Sequence, residues 1–220
     1  MKILIVAATK FEINPLLDQT EIITFAENSR VIISKYKKTE IDFLITGVGM
    51  VATSFYTAKV LNNTYDLVIN MGICGTFNSN LDLGTVVHVY EDQFSEMGAE
   101  DGQKFLSMEE LKLEAITKIT NNNSLTAYSV LEQLPKVNGI TVNKVHGNER
   151  SIQKVVNQFH PIVESMEGAA FMFACEQEKI PYFQIRAVSN VVERRNKNNW
   201  NIPLAIENLN NKLAVFLESI

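Results

Sequence analysis

Residues 2–8 (KILIVAA) form a nearly unbroken apolar run, and residues 42–46 and 66–71 repeat the pattern. A strand with one wet face alternates apolar and polar side chains, whereas a continuous run belongs to a strand covered on both faces, as in parallel sheets. Further strands are predicted at 30–37, 84–90, 140–145, 161–164 and 182–188. Between them, helical patterns cover 12–18, 51–61, 108–119, 150–158, 167–178 and 203–218. Ser107 and Glu110 have the spacing of a capping box for the third of these. The last sets Leu204, Leu209, Leu213, Phe216 and Leu217 near helical spacing, with Asn and Glu opposite. Strands alternating with helices predict an α/β fold: three αβα layers around a twisted, mixed, largely parallel sheet.

Composition narrows this picture. The chain has 220 residues, 46% of them hydrophobic, with no linker-like stretch, so residues 1–220 are expected to form a single domain. A net charge of -5, with basic residues scattered apart from Arg194 and Arg195, argues against a nucleic-acid partner. The N-terminal apolar run stops at Lys10 and Glu12, too early for a signal peptide, and no later run approaches the roughly 18 residues of a membrane span. A cytoplasmic protein with no membrane partner is expected. Cys74 and Cys175 lie in apolar surroundings, as buried reduced thiols would. His88, His146 and His160 lack metal-ligand spacing, so no metal is implied. The Asn-rich patches at 121–123, 196–199 and 208–211 read as solvated loop or helix face.

In open α/β sheets, ligands collect at the carboxyl ends of strands. Those ends carry residues 8–12 (ATKFE), the glycine turn at Gly47 and Gly49, a second turn at 72–76 (GICGT), residues 164–168 (ESMEG) and the pair Ser189-Asn190. A strand, a glycine turn and a helix in that order also describe a dinucleotide site. The first strand, however, has no glycine turn, and the turn at Gly47 offers Ala52 at the third position and Asp66 or nothing as the ribose acid. No nicotinamide, flavin or other cofactor is therefore expected.

The motifs ESMEGAA (164–170), MGICG (71–75), TGVGMVA (46–52), RAVSN (186–190) and Glu12 together resemble the nucleoside phosphorylase and nucleosidase superfamily, in order and over nearly the whole chain. Within it, residues 189–200 (SNVVERRNKNNW) look like those of the futalosine hydrolases, which release hypoxanthine from futalosine in menaquinone biosynthesis. The related methylthioadenosine/S-adenosylhomocysteine nucleosidases usually have aspartate where this chain has Asn190. The superfamily's phosphorylases carry a Gly-Asp-Pro-type phosphate turn, absent at residues 8–10, which favours water as nucleophile. The resemblance implies a purine nucleoside substrate, a homo-oligomer and no cofactor.

It also implies roles. Glu12 would deprotonate the attacking water; as residue type alone it equally suits a helix N-terminus. Glu167 would accept hydrogen bonds from the ribose hydroxyls, and Met166 would lie against the sugar, though a core methionine is the plain alternative. Gly47, Gly49, Gly75 and Ser189 would line the ribose and base pocket. Gly168, Ala169 and Ala170 read as small residues for close helix packing. Asn190 would donate to N7 or O6 of the base: an amide donates without protonation, which tilts toward hypoxanthine. Trp200, with Arg195 or Arg194, is a candidate for the 5′ side of the substrate, a surface basic pair and a half-buried Trp being the plain alternative, and a loop at 145–148 would lie near the base. Cleavage of methylthio- or homocysteinyl-adenosine, phosphorolysis, and a non-catalytic nucleotide-binding module remain the competing functions.

Overall fold

A computed structural model describes residues 1–25, 30–123 and 128–220. Its elements are β1 (Lys2–Ala7), α1 (Lys10–Leu17), β2 (Glu21–Phe25), β3 (Val31–Tyr36), β4 (Thr39–Ile45), α2 (Met50–Val60), β5 (Leu67–Thr76) and β6 (Val86–Phe94). There follow β7 (Gly98–Asp101), β8 (Lys104–Ser107), β9 (Lys118–Thr120), α3 (Ser129–Glu132), β10 (Lys136–Thr141), α4 (Glu149–Phe159), β11 (Val163–Ser165), α5 (Gly168–Glu178), β12 (Tyr182–Val191) and α6 (Ile202–Glu218). Alternation along β1 explains its unbroken apolar run. Ile3, Ile5 and Ala7 point into one core with Leu16, Leu209, Leu213 and Phe216 of α1 and α6, while Leu4 and Val6 point into another with Phe171, Met172 and Cys175 of α5. Both faces of the strand are covered, as the pattern required.

The main sheet has ten strands in the order β11-β10-β6-β12-β5-β1-β4-β3-β2, with β9 on β6. It is parallel through β4, β1, β5 and β12, and antiparallel where β2, β3, β6 and β9 join. The short β11 pairs with β10 on one side and antiparallel with β5 on the other. That second pairing closes β5, β12, β6, β10 and β11 into a ring. It brings the ends of β5, β11 and β12 side by side.

Several elements depart from the sequence pattern. Residues 72–76 are not a turn but the last part of β5, and Ser189 and Asn190 lie inside β12. The helix expected over 108–119 does not form. Its Ser107 and Glu110 make both capping bonds, at 2.9 and 3.2 Å, but Lys112 takes φ 57° and the chain then runs on to β9. Leu113 and Ile116 stay exposed, and a short helix without a surface to pack on is not stable. The strands β2 and β7–β9 and the one-turn α3 carry no pattern strong enough to predict them. Cys74 and Cys175 are free and buried, and none of the described helices is long and apolar enough to cross a membrane.

Candidate active site

Glu12 sits in the first turn of α1 and is buried. Its Oε2 accepts from the backbone N–H and the hydroxyl of Thr9, both at 2.9 Å, and its Oε1 accepts from the N–H of Ile73 at 3.3 Å. Burial raises its pKa above the usual carboxylate range, partly offset by the Arg186 guanidinium. Arg186 is itself buried on β12 and donates to Asn70 Oδ1. A Cβ on Gly72 would lie 2.2 Å from Arg186 and 2.9 Å from Glu12 Oε1, so only glycine lets both side chains cross β5 here. From sequence, Arg186 was visible only as part of a motif.

Asn210 corrects the reading of the last Asn-rich patch as solvated. It is buried, accepting from the Leu16 N–H at 3.0 Å and donating to the Glu12 carbonyl at 2.9 Å. Those two groups are the donor and acceptor of one helical step in α1, beside Pro15, which supplies no N–H of its own. The amide thus fixes the turn that carries Glu12, from a position 198 residues away in sequence. Asn121 is likewise engaged, donating to the Tyr182 carbonyl at 2.8 Å.

Glu167 stands at the N-terminal boundary of α5, without a side-chain bond to that helix, and accepts from the Gly49 N–H at 3.0 Å. Gly47 and Gly49 have φ of 86° and 100°, conformations that side chains rarely adopt. Of that turn only Val48 reaches the cavity; Gly49 acts on it through its bond to Glu167. Behind Glu167, a Cβ on Gly168 would come 2.2 Å from Asp92 Oδ2. Asp92 is fully enclosed, and burial pushes its pKa up to about 7. Thr141 donates to it at 3.1 Å and accepts from the Ala169 N–H at 2.7 Å, while Gln184 contributes another bond at 2.7 Å, so this buried cluster anchors the start of α5.

Asn190 and Glu164 flank Gly75, the residue with which both pair across the sheet. The Asn190 amide donates to the Val191 carbonyl at 3.0 Å, and its Oδ1 lies 2.8 Å from the Ser189 hydroxyl. Glu164 is held by His146, through its backbone N–H at 3.0 Å and its Nδ1 at 2.7 Å. Sequence analysis assigned Glu164 no role, since the contact spans 18 residues and no spacing signals it. Arg195 and Trp200 stack, with the guanidinium carbon 5.2 Å from the ring centroid, and line a small annex of about 90 Å³ with Asn190 and Glu164; Trp200 also lines the main cavity described below. The Asn201 N–H, bonded to the Ser189 carbonyl at 2.8 Å, ties their loop back to the end of β12.

These groups converge on a cavity of about 340 Å³. Glu12, Met166 and Glu167 line one part, Ser189, Asn190, Gly75 and Glu164 another, and Phe11, Val48, Ile202 and Ile206 supply apolar walls. Three carboxylates face it, and its described lining includes no lysine or arginine. A larger cleft of about 440 Å³ lies between the β7–β8 hairpin and α4, without a comparable convergence of carboxylates, amide and glycine-lined strand ends. Among the described residues, no group of three His, Cys, Asp or Glu side chains could hold a metal ion.

The family model described as "Phosphorylase superfamily" matches residues 2–219. A futalosine hydrolase of Streptomyces coelicolor is 29% identical over 81% of this chain and 80% of its own length. A 5′-methylthioadenosine/S-adenosylhomocysteine nucleosidase of Glaesserella parasuis is 28% identical, with 94% of each chain covered. Among solved structures, a nucleosidase of the latter kind from Colwellia psychrerythraea, in complex with adenine, superposes with a TM-score of 0.81 at 21% identity, covering 100% of this chain and 95% of that one. That likeness establishes the fold.

Proposed function

The chain belongs to the Phosphorylase superfamily and is an N-glycosyl nucleosidase, and from that premise we propose that it hydrolyses a purine nucleoside, futalosine foremost, to release hypoxanthine. The observation that carries hydrolysis is the lining of the cavity: Glu12 and Glu167 face it, its described lining includes no lysine or arginine, and the Arg186 guanidinium near Glu12 is buried and bonded to Asn70. A phosphate nucleophile would enter a field of like charge with no guanidinium or ammonium on the described cavity lining to receive it, whereas water enters freely. Glu12, its pKa raised by burial, takes the proton of that water. Positive charge grows on the ribose as the bond to the base stretches. Glu167, with one oxygen on Gly49, accepts from the ribose hydroxyls, and Met166 covers the sugar. Asn190 donates to N7 or O6 of the departing base, which leaves as a stabilised anion.

The apolar mouth of Phe11, Val48, Ile202 and Ile206 favours a second reading, since it suits a thioalkyl group as readily as the longer substituent of futalosine. The two substrates differ in base. Chromatography of products from futalosine, methylthioadenosine and S-adenosylhomocysteine, without and then with phosphate, separates them. Hypoxanthine from futalosine without phosphate is the expected result. Adenine from the thionucleosides would support the second reading, and release only with phosphate would overturn hydrolysis.

The same reading includes a homo-oligomer. Val51 and Phe55 lie on one face of α2 and are 79% and 58% exposed, next to Val48 and Phe11 at 57% and 62%. Exposed apolar surface of this kind marks an interaction face. Sedimentation of the purified chain is expected to give the mass of an oligomer, and Val51→Asp with Phe55→Asp the mass of one chain. A monomeric wild-type chain would sink this assignment.

A further inference from the structure

We infer that Glu164, held in place by His146, selects a 6-oxopurine base by accepting its N1–H. The inference rests on the nucleoside-hydrolase reading above and adds a specificity residue to it. Glu164 is only 3% exposed, yet it lines both the main cavity and the annex, in each case together with Asn190 and Gly75. A buried carboxylate facing a cavity is costly unless its oxygens are bonded.

Geometry places Glu164 beside Asn190. Gly75 pairs with Glu164 of β11 on one side and with Asn190 of β12 on the other. A Cβ at Gly75 would lie 3.3 Å from Asn190 Nδ2 and 3.7 Å from Glu164 Cγ, and also 2.8 Å from Val192, so the missing side chain leaves a donor and an acceptor flanking one gap. The ring closure by β11 is what creates this pairing. His146 then fixes the carboxylate, with its N–H on Oε1 and Nδ1 on Oε2. Each carboxylate oxygen can accept two bonds, so each retains one acceptor position.

The chemistry of that pair matches one base class. A 6-oxopurine offers an N1–H donor next to an O6 acceptor; a 6-aminopurine offers an N1 acceptor next to an amino donor. A fixed carboxylate beside an amide donor complements the first. Against the second, it would set its charge on the N1 lone pair of adenine, and sites built around a polar partner reject the analogue that lacks it.

Equilibrium binding of free bases tests this without any turnover, by calorimetry with hypoxanthine, 1-methylhypoxanthine and adenine. The wild-type chain is expected to bind hypoxanthine tighter than either other base, on the order of tenfold to a hundredfold, as for a hydrogen bond to a charged group. Glu164→Gln should weaken hypoxanthine by a similar factor and leave the three bases nearly level. Equal binding of hypoxanthine and 1-methylhypoxanthine by the wild-type chain would overturn the inference, and so would unchanged hypoxanthine affinity in Glu164→Gln. The methylated base needs no variant, so a misfolded Glu164→Gln does not blunt the test. Should the binding pattern hold while no nucleoside is cleaved, the hydrolase reading would fall and the assignment of Glu164 would stand.

Discussion

Replacing Glu12 with glutamine is expected to lower base release by about 10²–10⁴-fold, the range for loss of a positioned general base, while the chain stays folded. Glutamine keeps the shape of the side chain and can still bond Thr9, but it cannot take a proton from water. A base must be ionised to act, so the wild-type rate should rise with pH through the raised pKa of Glu12, above 4.5. The variant should lose that rising limb. Stability moves the other way. Because burial raises this pKa, the folded chain holds the proton where the unfolded chain has released it. The group's contribution is therefore fully present below about 4.5 and falls as pH rises through the folded value. The uncharged variant should melt no lower than the wild type at neutral pH. Rates across pH together with melting temperatures check both statements, and an undiminished rate would remove Glu12 from the chemistry.

Asn190→Ala is expected to reduce turnover by about 10²–10³-fold, the range for loss of one donor aimed at developing negative charge. Its structural cost should be small. The amide is partly exposed, and its contacts are one bond to the Val191 carbonyl and one with the neighbouring Ser189 hydroxyl, so stability should fall by about 1 kcal/mol. Turnover and denaturant unfolding measured on the same preparation decide the matter. Losses of equal free energy in the two would make Asn190 a structural residue of the β12 end.

Local pattern determined a good part of this protein. The buried strands, the helices α1, α2, α4, α5 and α6, and the α/β class all follow from periodicities that each segment carries by itself. So does the gathering of Glu12, Met166, Glu167 and Asn190 near strand ends, since parallel α/β sheets place their ligand-facing residues there. Periodicity misled where the partner surface was missing. Residues 108–119 have helical spacing and a formed capping box, yet Leu113 and Ile116 stay largely exposed.

Tertiary structure decided what depends on two distant segments meeting. Antiparallel pairing of β5 with β11 is such a meeting, and together with the pairing of β5 with β12 it puts Glu164 and Asn190 on either side of Gly75. Asn210 looked like one more polar residue on a helix surface, but α6 lays it against α1, where its amide clamps the backbone that carries Glu12. Gly72 and Gly168 looked like turn and packing glycines. Their need for hydrogen in place of a side chain comes from Arg186, Glu12 and Asp92 passing over them, and those residues arrive from other elements. Burial of a side chain's own stretch can be read from its neighbours in sequence; the groups it will touch cannot, because the chain's closure brings them there.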